Sequence, residues 1–363
     1  MEGYGVTGKM IARHLVQHTS AELVLAGRNE NKALDAALEL NSRWGQDRVK
    51  SQYADASDPS SLKAIFATAD LVVAASCTSQ YTPQIASAAI ETGTDYFDIQ
   101  YSAYKMSVLK SLEPDIVRAG RCFITDGGFH PGLAAVLVHQ AAVHFDTLET
   151  ANVGSVIKID WRGLNVSEGA ILELADELKS FDTSYFSEGL WKKGGMRKMN
   201  FGQEFGSSRC TSMMLEKMYP LPVRYPSLSE TGFYVGGFNW FVDWLVLPAG
   251  IVALWLFPRK ALKPVSKFMH WGLLKFSKPP YGTILKIEAA GIKNGRRATF
   301  EQSLYHEDGY ELTAIPVAAA IRQYLDGSIR RAGLWTQANL VQGERLLKDM
   351  QDMGVLILKD SST

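Results

Sequence analysis

Residues 3–8, Gly-Tyr-Gly-Val-Thr-Gly, space three glycines as G-x-G-x-x-G at the very start of the chain. In a βαβ unit that grips a dinucleotide, the first glycine permits a tight turn, the second lets backbone approach the pyrophosphate, and the third lets helix and strand pack closely. Such a motif belongs between a strand and a helix, which is why it constrains the fold so strongly. The helix follows: Met10, Ile11, His14 and Leu15 recur at helical spacing, with the glycines at its N-terminus, where free N–H groups and the positive helix end meet an anion. The strand does not precede, because Met1 and Glu2 alone cannot form one. That strand lies at the centre of the sheet in the common order, so the expectation is an N-terminally incomplete chain with unpaired strand edges in its interior.

The next apolar run, Glu22 to Arg28, reads as a short buried strand ending in Gly27-Arg28, roughly twenty residues past the last glycine. An acidic residue there would bind the ribose 2′-hydroxyl of NAD. Arg28 stands there instead, and a guanidinium suits a 2′-phosphate, so NADP(H) is expected in preference to NAD(H). Asn29 follows in the same turn, and Lys32 either reinforces the phosphate contact or lies on a solvated helix face. Helices at Lys32–Trp44, Pro59–Ala67 and Pro83–Glu91 alternate with strands at Val49–Tyr53, Leu71–Ala75, Asp95–Ile99 and Arg121–Asp126, with Asp58 as N-cap and Pro59 at N1 of the second helix. This alternation predicts an α/β fold with a Rossmann-type, doubly wound parallel sheet. Ligands of such sheets bind beyond the carboxyl ends of the strands. The candidate cofactor residues are therefore Gly3, Tyr4, Gly5, Val6, Thr7, Gly8, Arg28, Asn29, Lys32, Ala54, Asp55, Ser76 and Cys77, and the segment Gly127–Gly132 is a candidate for substrate chemistry.

Gly-Tyr-Gly-Val-Thr-Gly-Lys at 3–9, Leu-Ala-Gly-Arg-Asn with Lys32, Ala-Asp-Leu-Val-Val at 69–73, Gly-Thr-Asp-Tyr-Phe-Asp at 93–98 and Gly-Gly-Phe-His-Pro-Gly-Leu at 127–133 together resemble the saccharopine dehydrogenase-like (saccharopine reductase-like) family. The resemblance is clearest over about the first 145 residues, and Leu334 through Gly354 resembles that family's C-terminal helix. It implies a Rossmann domain, an inserted mixed α/β domain that holds substrate and often dimerises, and a tail returning to the first domain. The expected division is residues 1–130, 131–330 and 331–363. It also implies hydride chemistry with NAD(P)H that joins or splits an amino acid and a carbonyl compound, or reduces a related double bond. The segment 183–280 does not match the amino-acid reductases of the family, so the substrate is not carried over.

Thirty-eight basic and thirty-eight acidic residues balance to zero net charge, which argues against a nucleic-acid partner. Cys77, Cys122 and Cys210 are too few and too scattered for a disulfide framework or a metal site. With no charged leader ahead of an apolar core, the expected setting is cytoplasmic. In the second half, Glu149–Asp160 reads as a strand and Ser167–Phe181 as an amphipathic helix. Ile284–Ile292 and Ala298–Tyr305 flank Asn294-Gly295, a strong hairpin signal.

A second unusual feature is the segment 231–287. From Thr231 to Phe257 the only charge is Asp243, while Pro258–Ile287 holds seven Lys or Arg residues and no acid. Trp240, Trp244, Trp255 and Trp271 fall within it. Rings beside cations suit a membrane interface. The uninterrupted apolar run Trp244–Phe257 is about 21 Å long as a helix, short of a hydrocarbon core of about 30 Å. Two readings stand: peripheral contact with a membrane, or a buried hairpin of a homodimer.

Three residues are candidates for chemistry. Cys77 follows the strand at 71–75 and borders the expected nicotinamide position, or simply packs. His130 lies in a glycine-rich loop as a proton carrier, with Asp126 close by in sequence. Asp98 and Tyr101 are further polar residues at a strand end. The expected function is an NADP(H)-dependent oxidoreductase acting on a C=N bond of an amino-acid-derived small molecule. The alternatives are a non-catalytic or lipid-surface nucleotide-binding protein, and a reductase of a lipid-type C=C bond.

Overall fold

The computed structural model describes residues 3–45, 47–76, 78–162, 182–257 and 260–362; in it the strands Asp95–Asp98 and Cys122–Thr125 are buried on both faces, whereas Val49–Tyr53 is largely exposed. The chain divides into two compact units, residues 1–136 with 310–354, and residues 137–309 with 355–363. The expected boundary at 330 therefore differs from the observed one. The helix Gly309–Leu325, apolar along most of its length, packs with the first unit: Tyr324 donates to Asp95 Oδ2 (2.7 Å), and Glu311 takes the ring of His14 (2.8 Å) and the guanidinium of Arg13.

In the first unit, α1 (Val6–His18) leads to β1 (Leu23–Gly27), α2 (Glu30–Leu40), β2 (Val49–Tyr53), α3 (Pro59–Phe66), β3 (Leu71–Ala74), α4 (Thr82–Thr92), β4 (Asp95–Asp98), α5 (Ala103–Arg118), β5 (Cys122–Thr125) and α6 (His130–Ala142), which carries the chain into the second unit. The Asp58 cap was legible in sequence: it accepts the Ser60 N–H at 2.9 Å with Pro59 behind it; the cap of α2, Asn29, which accepts the Lys32 N–H at 3.0 Å, was not read as one, and that helix starts at Glu30 rather than Lys32. β1 pairs with β2, and β3, β4 and β5 continue into the strand Gly333–Thr336, all in parallel. Residues 334–335, expected to open a C-terminal helix, thus extend the sheet, and a short helix Gln337–Leu340 and a longer one Gly343–Asp352 follow. Among the described residues no strand joins β1 to β3, although Ala26 of β1 packs in one core with Val72 and Ala74 of β3. α5, which no motif announced, supplies Leu109 and Ile116 to the same core.

The second unit is a mixed sheet in the order 356–362, 296–306, 282–293, 147–158, 230–236, 207–212 and 196–200, with Ser184–Ser187 and Leu190–Lys193 attached at its side. Thr147–Lys158 and Glu230–Gly236 run parallel and their neighbours antiparallel. The hairpin turn expected at Asn294-Gly295 is there, with φ of 51° and 75°, the left-handed pair that a two-residue turn demands. The expected helix at 167–181 lies outside the described residues.

The segment 231–287 is not one element. Thr231–Gly236 and Gly282–Ile287 belong to strands of the sheet, and the apolar-basic character is confined to the helices Leu247–Leu256 and Leu262–Phe276 with the turn that leads into them. Among the described residues no helix is long and apolar enough to cross a membrane.

Candidate functional site

The glycine motif closes onto the end of β1. Gly5 is the N-cap of α1, no side chain caps that helix, and its first turn carries no acid, so its leading N–H groups have no partner within the helix. Gly27 is tied to this loop sterically: a Cβ on it would meet the Tyr4 ring at 2.5 Å. The Tyr4 hydroxyl in turn accepts the Asn29 N–H (3.1 Å). The Ala54 N–H donates to Gly27 O (3.1 Å), which brings the end of β2 alongside. Gly3, Tyr4, Gly5, Val6, Thr7 and Gly8 are thereby gathered with Arg28, Asn29, Ala54 and Asp55 at one end of β1 and β2. Arg28 and Lys32 are exposed there. The Ser57 N–H and hydroxyl, at 2.9 and 2.7 Å, hold the Asp55 carboxyl below its usual range.

Beyond β3, β4 and β5 lies a second, buried group. The Ser76 and Thr78 hydroxyls are 3.1 Å apart, and the Gln100 amide donates to Thr78 Oγ1 at 3.0 Å and to Ser76 O. Behind them Lys105 Nζ sits 2.7 Å from Asp98 Oδ1 and 2.9 Å from Asp126 Oδ1, with Lys105 and Asp98 wholly buried. Burial works against the charge of Lys105, but the two carboxylates outweigh it and raise the pKa above the ordinary lysine value. Asp98 also accepts from the Thr125 hydroxyl (2.7 Å) and from the N–H groups of Gln100 and Asp126. The carboxylate of Asp126 is thus engaged by an ammonium. Lys105 went unseen in the sequence because nothing in its spacing separates it from the solvated Lys110, five residues on; the only cue was its place in the helix after a strand ending in aspartate.

Asp126, Gly127 and Gly128 make the turn out of β5. Asp126 has φ 56° and Gly128 φ 85°, and a Cβ on Gly127 would lie 2.4 Å from the Phe97 ring. The Gln337 amide oxygen accepts the Gly128 N–H (3.1 Å), so the residue that follows the strand Gly333–Thr336 anchors this turn. His130, expected in a loop, instead opens α6, with its half-buried ring stacked on Phe129 at 4.4 Å. Cys77 lies outside the described residues. Cys122 and Cys210 are buried, and burial pushes their thiols up to about 11 and about 12, far from a reactive thiolate.

A parallel sheet with a glycine-rich turn at a free helix end, a cationic rim and a polar floor defines a dinucleotide-binding α/β protein. Residues 1–120 match the family described as saccharopine dehydrogenase NADP binding domain. Over its whole length the chain resembles the saccharopine dehydrogenase (L-Glu forming) of Saccharomyces cerevisiae, at 15% identity and a TM-score of 0.71, covering 100% of this chain and 98% of that one; at this identity the likeness is one of fold. Weaker likenesses are an amine dehydrogenase from Mycobacterium smegmatis (10% identity, TM-score 0.46, 93% of each chain) and a biliverdin reductase from Synechocystis sp. PCC 6803 (12%, 0.38, 96% of this chain and 93% of that one). Residues 1–120 thus match an NADP-binding domain of the saccharopine dehydrogenase type, and the chain as a whole shares the fold of that enzyme.

Proposed function

We propose that this chain is an NADP(H)-dependent oxidoreductase that moves hydride to or from the C=N bond of an amino-acid-derived imine. The observation that carries the cofactor part is Arg28, an exposed guanidinium at the end of β1 where an NAD-binding chain would place a carboxylate. The uncapped N-terminus of α1, with no acid in its first turn, fits a pyrophosphate. When bound, the dinucleotide supplies or accepts the hydride. Arg28 and Lys32 would hold the 2′-phosphate, with Asn29 shaping the turn between them. Gly3–Gly8 would receive the pyrophosphate, and Ser76 and Thr78 would lie toward the nicotinamide. His130, a half-buried imidazole at the start of α6, is the group suited to hold or pass the proton that accompanies reduction of an imine nitrogen. Asp126, held by Lys105, positions the turn that carries it.

The test is consumption of reduced nicotinamide on mixing the protein with NADPH and pairs of a 2-oxo acid and an amino acid. A lipid-type C=C substrate serves as the competing arm. Turnover with an imine-forming pair, slowed by at least tenfold and with an altered pH profile in His130→Gln, supports the reading. Turnover only with the C=C substrate, or NADPH binding without turnover in any arm, contradicts it.

A further inference from the structure

Apolar side chains left in water are informative when they are large and contiguous. The helices Leu247–Leu256 and Leu262–Phe276 of the second unit bury one seam, where Val242 and Val246 of the turn before them share a cluster with Met269 and Leu273, and Gly250 faces Val265. Their fit is close: a Cβ on Gly250 would touch Val265 at 3.0 Å, and one on Gly272 would strike Phe241 at 2.7 Å. The hairpin is therefore already packed on its inner side. Its outer side remains apolar. Trp244 is 63% exposed, Trp255 81% and Phe257 60%, with Ile251, Val252 and Leu256 between them. On the second helix Phe268 and Trp271 are also exposed and stack at 5.8 Å, with Lys275 over the Trp271 ring at 5.6 Å. Lys263 and Lys267 stand on the same helix, and all three lysines are exposed.

We propose that this helical hairpin docks the protein on the surface of an anionic lipid layer, its first helix sunk among the acyl chains and its lysines at the headgroups. Charge chooses this occupant. A second copy seated on the same face would oppose lysine to lysine, because the one acid of the hairpin, Asp243, is turned inward to accept the Phe238 N–H at 2.9 Å. An anionic surface meets the cations without needing a complementary carboxylate. Tryptophan rings suit the boundary between headgroups and acyl chains. The first helix, ten residues long, is too short to span, so attachment is to one leaflet. This inference is independent of the substrate assigned above.

The full chain is to be sedimented with phosphatidylcholine vesicles containing increasing fractions of phosphatidylserine, at low and high salt, with sedimentation velocity run in parallel. Binding should grow with anionic content and weaken with salt. The triple variant Lys263→Gln, Lys267→Gln, Lys275→Gln should lose about fivefold per cation, following the usual contribution of a cation at such a surface. Trp244→Ser with Trp255→Ser should lose binding while keeping the wild-type melting temperature, since both rings are exposed. No binding at any composition, binding indifferent to phosphatidylserine, or a soluble dimer that the tryptophan variant dissociates would each overturn the proposal.

Discussion

The rim of the candidate site and its floor are built by opposite means. At the rim, Arg28 and Lys32 are exposed, Asp55 is half-buried, and the loop is shaped by an uncapped helix end and by glycines that let chain approach chain. At the floor, Lys105, Asp98 and Asp126 are buried in mutual contact, and glycine serves to let a turn fit beneath Phe97. The cations Arg28 and Lys32 face solvent, whereas charge at the floor holds strands and turn in place. The rim should therefore govern affinity and the floor stability.

The largest effect is expected from Lys105→Met, which leaves two carboxylates buried without their cation. Breaking one partner of a buried ion pair costs about 3–5 kcal/mol, and the shift should appear in the urea midpoint. The same pairing predicts an alkaline signature. Because the folded pKa of Lys105 lies above the ordinary lysine value, its contribution is fully present below that value and is lost as pH rises through the higher, folded one. The wild type should lose stability over that alkaline window, and Lys105→Met should lack this increment. A variant as stable as the wild type would show that the floor is not held by this cluster.

Next in size is Gly127→Ala, whose methyl would fall 2.4 Å from the Phe97 ring and 2.8 Å from Asp98 O. Overpacking of this kind costs about 1–3 kcal/mol. Thermal unfolding measures it, and an unchanged melting temperature would mean the turn yields freely.

The same division separates what the sequence reveals from what it hides. Glycine spacing, the Asp58 cap and the Asn294-Gly295 turn are local, so residues a few positions apart declare them. The glycine-rich end of β1 was legible for this reason. Lys105 meets Asp126 across 21 positions, and Gln337 meets Gly128 across 209, and no local pattern records either contact. His130 was placed in a loop because glycines and a proline surround it, yet Pro131 sits in the first turn of α6, where its missing N–H is no loss. The segment 231–287 read as one apolar-basic element because composition does not register that its ends pair with Ser207–Ser212 and Thr147–Lys158.

The smallest effect on stability and the most direct test of the account is Arg28→Asp. An exposed substitution of this kind should change folding by no more than about 0.5 kcal/mol. Titration calorimetry with NADPH and NADH, on the wild type and on this variant, isolates the contact to the 2′-phosphate. The wild type should bind NADPH more tightly than NADH. The variant should lose about 1–3 kcal/mol toward NADPH, as for a charge-assisted hydrogen bond, and hold NADH almost unchanged. Equal losses for both cofactors, or no loss for either, would contradict the assignment of Arg28 and with it the NADP(H) specificity of the site.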